Sequence, residues 1–347
     1  MLLGGTLAFI LSIGLATGAT AASPPVPAAN FDPTLYSRPH QMVEVAPGRR
    51  VNLTCTGSGS PVVMLVSGIG AGSEAWRNVQ GEIAKYTRVC AYDRAGYGFS
   101  DALAGEADAT SAVADLAHLL DAGGVAQPVV LVAHSAGALY SQFFSGEHPE
   151  KVAGAVLVDP TGLNDFRDVD SILTEDERAR KKANYPRMFE SLDRCVDRAR
   201  SRAGTSVGEA GTECDPPSTG APDLDEALRR QFADPKVAEA NRSEMRNFNP
   251  PDADAIESAT TRQVRQRPFL LGDKPLIVLK TGGRLPPGER GERLRALSDL
   301  ETRRLLAAST EAKALHVKSG HAIQDERPDV VVAAVREVVD SIRTKTR

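Results

Sequence analysis

Residues 128–145 leave the chain few ways to fold, because the apolar run PVVLVA passes through His134 and Ser135 almost directly into a helical pattern that starts at Ala138. A continuous apolar run of this length suits a strand buried on both faces of a parallel sheet. A strand that turns into a helix within a few residues must lay the helix back against the sheet. The flanking positions then have to be small, and Ala133 and Gly137 are. A serine at the centre of so sharp a turn carries a strained backbone. The spacing is small-x-Ser-x-small, with Ala133 where glycine is the commoner residue.

The same rhythm runs along most of the chain. Residues 42–55 alternate and break at Pro47-Gly48, which predicts an antiparallel hairpin. Apolar runs at 61–68, 88–93, 128–133, 153–159, 274–283 and 314–320 predict strands, and helical spacing at 73–86, 110–122, 138–145, 289–308 and 328–342 predicts the helices between them. Such alternation implies an α/β fold, a mostly parallel twisted sheet with helices on both faces. From 163 to about 270 the rhythm stops: this stretch is charged, patchily helical and broken by GTECDPPSTGAPD, so it reads as a largely helical cap or lid insertion. The expected organisation is a core of residues 30–162 and 271–347 with the cap at 163–270. Within the cap, Tyr185, Met188, Phe189 and Leu192 share a helical face, and burial of the cap's inner side is the preferred reading over a pocket entrance.

Residues 2–15 are mostly apolar, 16–22 are small, and Ala19-Thr20-Ala21 supplies an A-x-A pattern, so residues 1–21 read as a signal peptide cleaved near Ala21. A secreted or periplasmic protein is expected, with an uncleaved N-terminal membrane anchor as the alternative and no other stable membrane insertion. Four cysteines fit an oxidising compartment and allow three pairings. Cys55 and Cys90 fall in strand patterns and Cys195 and Cys214 in the insertion, so Cys55–Cys90 and Cys195–Cys214 are the expected bonds. A formal net charge of -4 excludes a basic nucleic-acid-binding surface. No metal-ligand spacing and no cofactor motif is found.

Ligands of parallel α/β sheets sit beyond the C-terminal ends of the strands, and a serine there needs a base. His321, after Gly320 and before the helix marked by Pro328, is the histidine this architecture delivers to that edge. His40, His118, His148 and His316 lie elsewhere in the pattern, and His134, beside the serine, reads as structural. Acyl chemistry also needs donors for a developing oxyanion; the N–H of Ala136, at a helix start, and that of Ile69, after Ser67-Gly68, are the candidates.

The ordered segments SGIGAGSEAW, YDRAGYGFSD, VAHSAG, LVDP and SGHAIQDERP together resemble the α/β-hydrolase family over residues 42–159 and 274–342. The resemblance implies a Ser-His-acid triad in the chain order serine, acid, histidine, and it implies that the strand ending at Cys55 lies beside the one holding Cys90. Many members carry the acid after the strand that is PLIVLK here, but this chain continues TGGRLPPGERGER, with Arg284 in that slot and Glu289 farther on. Asp159, at the end of the preceding strand, is therefore the expected acid, with Asp165 and Asp325 as outside candidates. Asp93 and Arg94 are expected to fix the neighbouring loop. The resemblance implies a serine hydrolase acting on a small-molecule ester or related acyl substrate; peptide, lactone and carbon–carbon hydrolysis use the same triad, and a non-catalytic binding protein on this fold is the alternative of a different class.

Overall fold

In the computed structural model, which describes residues 32–202, 214–216, 218–282 and 285–345, the interruption at Pro47-Gly48 is a tight reversal. Gly48 takes φ 71°, a left-handed conformation that costs glycine little. It joins β1 (Gln41–Ala46) to β2 (Arg49–Thr56) as an antiparallel pair. The expected signal peptide, its cleavage near Ala21, and Arg284 lie outside the described residues.

β3 (Val63–Val66), β4 (Val89–Tyr92), β5 (Val129–His134), β6 (Val152–Val158), β7 (Leu276–Thr281) and β8 (Ala312–Val317) complete an eight-stranded sheet in the order β1-β2-β4-β3-β5-β6-β7-β8. β2 pairs with β4 antiparallel, and every pairing from β4 to β8 is parallel. Cys55 stands opposite Cys90 in the β2–β4 register and is bonded to it. All residues of β3, β4 and β5 are buried, as their unbroken apolar runs require. Alternation sends Met64, Val66, Leu131 and Ala133 to one face and Val63, Leu65, Val130 and Val132 to the other.

Helices cover both faces. α1 (Arg77–Ala84) packs Val79 and Ile83 on the second face, while α2 (Ala109–Ala122) and α3 (Gly137–Glu147) cover the first. α2 starts on a capping box in which the Asp108 carboxylate accepts from Ser111 N–H and the Ser111 hydroxyl from Asp108 N–H, a motif worth about 1 kcal/mol.

The described residues between β6 and β7 carry helices and no strand: α4 (Asp165–Ser171), α5 (Glu175–Arg202), α6 (Pro222–Phe232), α7 (Pro235–Phe248) and α8 (Ala259–Arg265). The expected face of α5 is only half-buried at Tyr185, Met188, Phe189 and Leu192; among the described side chains of that helix, Val196 and Ala199 are the buried ones. A helix this charged keeps most of its surface in water and buries a single turn of small apolar residues. Cys195 is bonded to Cys214. After β7, α9 (Glu289–Leu306), α10 (Ile323–Glu326) and α11 (Pro328–Lys345) finish the chain, and α11 lays Val331, Val335, Val338 and Val339 beside α1 on the second face. Among the described residues no helix is long and apolar enough to cross a membrane.

Candidate active site

Ser135 takes φ 53°, a left-handed conformation rare for a residue with a side chain, at the turn from β5 to α3. Its N–H donates to Val158 O at 3.2 Å and its carbonyl accepts from Thr161 N–H at 3.1 Å, so the turn is tied to the end of β6. The size requirement at Gly137 is steric: a Cβ there would lie 2.5 Å from Val66 O and 2.7 Å from Ser67 O. Ala136 caps α3, with its N–H at the positive end of that helix.

Asp159 directly follows β6 and takes φ 38°, the other non-glycine residue in the left-handed region among those described. Its Oδ2 accepts from Nδ1 of His321 at 2.6 Å, and its Oδ1 accepts from Thr281 N–H at 3.1 Å with Lys280 Nζ at 3.5 Å. Burial opposes ionisation of this carboxyl, but the His321 bond and the Lys280 charge outweigh it and bring its pKa down to about 2. His321 sits in the loop between β8 and α10, beyond the strand end. Its carbonyl accepts from Nε2–H of His134 at 3.1 Å, and the two rings lie 4.6 Å apart. Burial, reinforced by His321, lowers the His134 pKa to about 3, so His134 is a neutral ring that props the histidine loop, the structural role read for it.

The loop after β3 is held from behind. Arg94 donates from Nη1 to Ser67 O and from Nη2 to Gly68 O, each at 2.7 Å. In a trans peptide the C=O and the following N–H point opposite ways, so the Gly68 carbonyl facing Arg94 turns the Ile69 N–H away from it. Gly68 is itself close to the serine: a Cβ there would lie 3.0 Å from Ser135 Cβ. Asp93 takes Ser73 N–H at 2.7 Å, Asn52 Nδ2 at 2.9 Å and Phe99 N–H at 3.0 Å, so both residues fix the loop as expected. Behind Arg94, Glu244 of α7 accepts from Arg94 Nε at 2.9 Å, Tyr97 OH at 2.6 Å and Tyr140 OH at 2.8 Å.

The outside acids are engaged elsewhere. Asp165 accepts from Gly162 N–H at 2.8 Å, Asp325 from Asn78 while paired with Arg77, and Glu289 is an exposed partner of Arg293. His118 contacts Ala114 O on α2, His148 ends α3 and His316 is in β8. The sequence reading missed Lys280 and Thr281 as partners of Asp159, although a lysine at the end of PLIVLKT was a usable sign. It also missed Glu244. The sign there was the spacing of Val237, Ala240, Glu244 and Phe248, which puts a glutamate into the buried stripe of α7. No group of side chains among the described residues is arranged to hold a metal ion.

A model described as "Alpha/beta hydrolase family" matches residues 63–334, most of the chain. The chain belongs to the α/β-hydrolase family. It is 38% identical over 124 residues to the 2-hydroxy-6-oxo-2,4-heptadienoate hydrolase of Pseudomonas putida, a match covering 35% of this chain and 44% of that one. A Gibberella zeae AB hydrolase superfamily protein is 23% identical over 297 residues, covering 82% of this chain and 87% of its relative. The chain spans less than half the length of the first curated relatives it matches. Among solved structures, an epoxide hydrolase of Pseudomonas aeruginosa, so named provisionally, superposes with a TM-score of 0.58 at 18% identity, covering 94% of this chain and 100% of that one. At that identity the likeness speaks for the fold alone. Family and hydrolase-named relatives together support an enzyme.

Proposed function

We propose that the chain is an exported serine hydrolase that cleaves small-molecule esters or related acyl compounds through an acyl-enzyme intermediate. The observation that carries this reading is the 2.6 Å bond from His321 Nδ1 to Asp159 Oδ2, at the same sheet edge as a serine held at φ 53°. An imidazole whose Nδ1 proton is held by a carboxylate offers a free lone pair at Nε2. In the proposed reaction Ser135 Oγ attacks the acyl carbon while His321 Nε2 takes the hydroxyl proton. The carbonyl oxygen becomes an oxyanion, stabilised by the N–H groups of Ile69 and Ala136. The leaving alcohol takes the proton from His321, and the acyl group stays on Ser135. Water, deprotonated by the same imidazole, then releases the acid and restores the hydroxyl. Asp159 stays ionised throughout, as its pKa of about 2 allows, and no cofactor enters.

A second reading within the same chemistry, hydrolysis of an oxo-dienoate, is favoured by the match to the Pseudomonas putida enzyme. Epoxide opening is disfavoured, because an aspartate at the nucleophile position would suit it and Ser135 stands there. Two disulfides support an oxidising compartment and with it the export reading. A fluorophosphonate should label the protein recovered from periplasm or medium, whose chain should begin near residue 22, and Ser135→Ala should abolish the label. Unlabelled wild type, or a labelled variant, overturns the serine mechanism; a retained leader overturns cleavage.

A further inference from the structure

Glu244 belongs to the inserted helices, yet it is 2% exposed and sits against a residue of the sheet's own loops. The Arg94 cation, 6% exposed, is disfavoured by burial, but the Glu244 carboxylate together with Tyr140 and Tyr97 outweighs the desolvation and holds it charged. One guanidinium therefore spans two structures. Its Nε and Nη2 face the Glu244 carboxylate at 2.9 and 3.0 Å, and its Nη1 and Nη2 face the carbonyls of Ser67 and Gly68 at 2.7 Å each. Tyr97 and Tyr140 donate to the same carboxylate, so both of its oxygens have fixed partners. A loop peptide between glycines has few restraints of its own. Here its orientation is set by a planar fork that cannot rotate while Glu244 grips the far side.

We propose that Glu244 is a positioning residue for the oxyanion-binding peptide: through Arg94 it holds the Gly68–Ile69 peptide with the Ile69 N–H turned toward the site, so docking of α7 on the core completes the machinery. This rests on the serine-hydrolase reading, which it deepens by making the inserted helices part of the catalytic geometry. The two do not share a fate in the experiment below.

Two full-length variants test it. Glu244→Gln keeps an amide oxygen for one tyrosine, turns an NH2 to the other, and leaves Arg94 without its carboxylate, a change that risks poor folding because a buried charge loses its partner. Arg94→Met combined with Glu244→Gln removes both charges and keeps the oxygen, which avoids that risk. On an activated ester such as p-nitrophenyl acetate, kcat should fall about tenfold in the single variant and on the order of 10²-fold in the double, with KM within about threefold of wild type. Hydrogen exchange should quicken in residues 67–72 and stay unchanged in β5. A folded double variant with wild-type kcat, or with unaltered exchange at 67–72, overturns the proposal. A loss of activity that follows only the folded fraction does too. If wild type takes no fluorophosphonate label, the hydrolase reading falls by itself and the exchange result alone decides the positioning role, in the same two directions.

Discussion

Asp159 and Asp165 stand six residues apart, one closing β6 and the other opening the first inserted helix, and their carboxyl groups are displaced in opposite directions. Both are pushed upward by burial. At Asp159 the bond from His321 and the charge of Lys280 reverse that push and bring the pKa to about 2; at Asp165 the neighbouring Glu301 adds to it and carries the pKa to about 7. The difference lies in partners: the strand end meets donors from β7 and the histidine loop, whereas the start of the insertion meets a second carboxylate of α9. The same contrast holds more widely. Sheet side chains are packed into two large apolar clusters, while Leu224 and Leu228 of α6 share a small one with Tyr36, and charged pairs such as Arg178–Asp170 and Arg200–Glu239 lie at the surface of the inserted helices.

The sharpest way to break the contrast is Asp159→Asn. With the imidazole no longer held in its working tautomer, kcat on an activated ester should fall about 10³–10⁴-fold. The variant should also be less stable at neutral pH, by about 2 kcal/mol. The folded pKa lies below the unfolded value of 3.8, so this stability is present above pH 4 and lost as pH falls toward 2. Denaturant titrations should therefore show wild type and variant converging over that window; a gap that persists at pH 2 points to packing as the cause.

A smaller effect separates the two regions by stability. Leu131→Ala, in the centre of the sheet, should cost about 4 kcal/mol, and Leu228→Ala, in the small cluster, about 2 kcal/mol. Equal losses in urea denaturation would mean that the inserted helices are as tightly packed as the sheet. The smallest expected change has the opposite sign. Asp165→Asn keeps an oxygen for Gly162 N–H and removes a carboxylate whose folded pKa is raised above its unfolded value. Wild type loses stability as pH rises from 4 through 7, so the variant should gain about 1 kcal/mol at pH 8, discounted for partial exposure, and nothing at pH 4. Destabilisation at pH 8 would show that the carboxylate is well solvated or paired.

Much of the sheet was legible because its strands are buried on both faces, which forces unbroken apolar runs such as PVVLVA and AVLVD. The elbow could be read for the same kind of reason, since Gly137 meets backbone oxygens that admit no larger residue. Asp159 was expected from the resemblance, because the slot after β7 where many family members carry the acid holds none, and its bond from His321 supports that proposal. The partners were less visible. Lys280 and Thr281 act on Asp159 across the β6–β7 pairing; the lysine that ends PLIVLK is a sign of a charge there, but the Thr281 N–H contact leaves none in the local sequence. In the insertion, Tyr185 and Phe189 sit on a helical face that remains half-exposed. A 3.6-residue period reports that one side differs from the other, without stating how much chain is available to cover it.

The anchoring of Thr161 shows where the inserted helices could be cut from the core. The chain leaves the sheet at Val158, but the next three residues still serve the core: Asp159 holds His321, the Pro160 carbonyl accepts from Lys280, and Thr161 N–H ties down the Ser135 carbonyl. The seam at which one set of helices could be traded for another lies after Thr161, not at the strand end. A chimera cut at residue 158 would lose the Asp159 partner of His321 and the Thr161 tie on the elbow. One cut at 162 would inherit both intact and would lose the contacts that α7 and α8 make with the core, among them Glu244 with Arg94, Lys236 with Ser100 and Gln263 with Asp108.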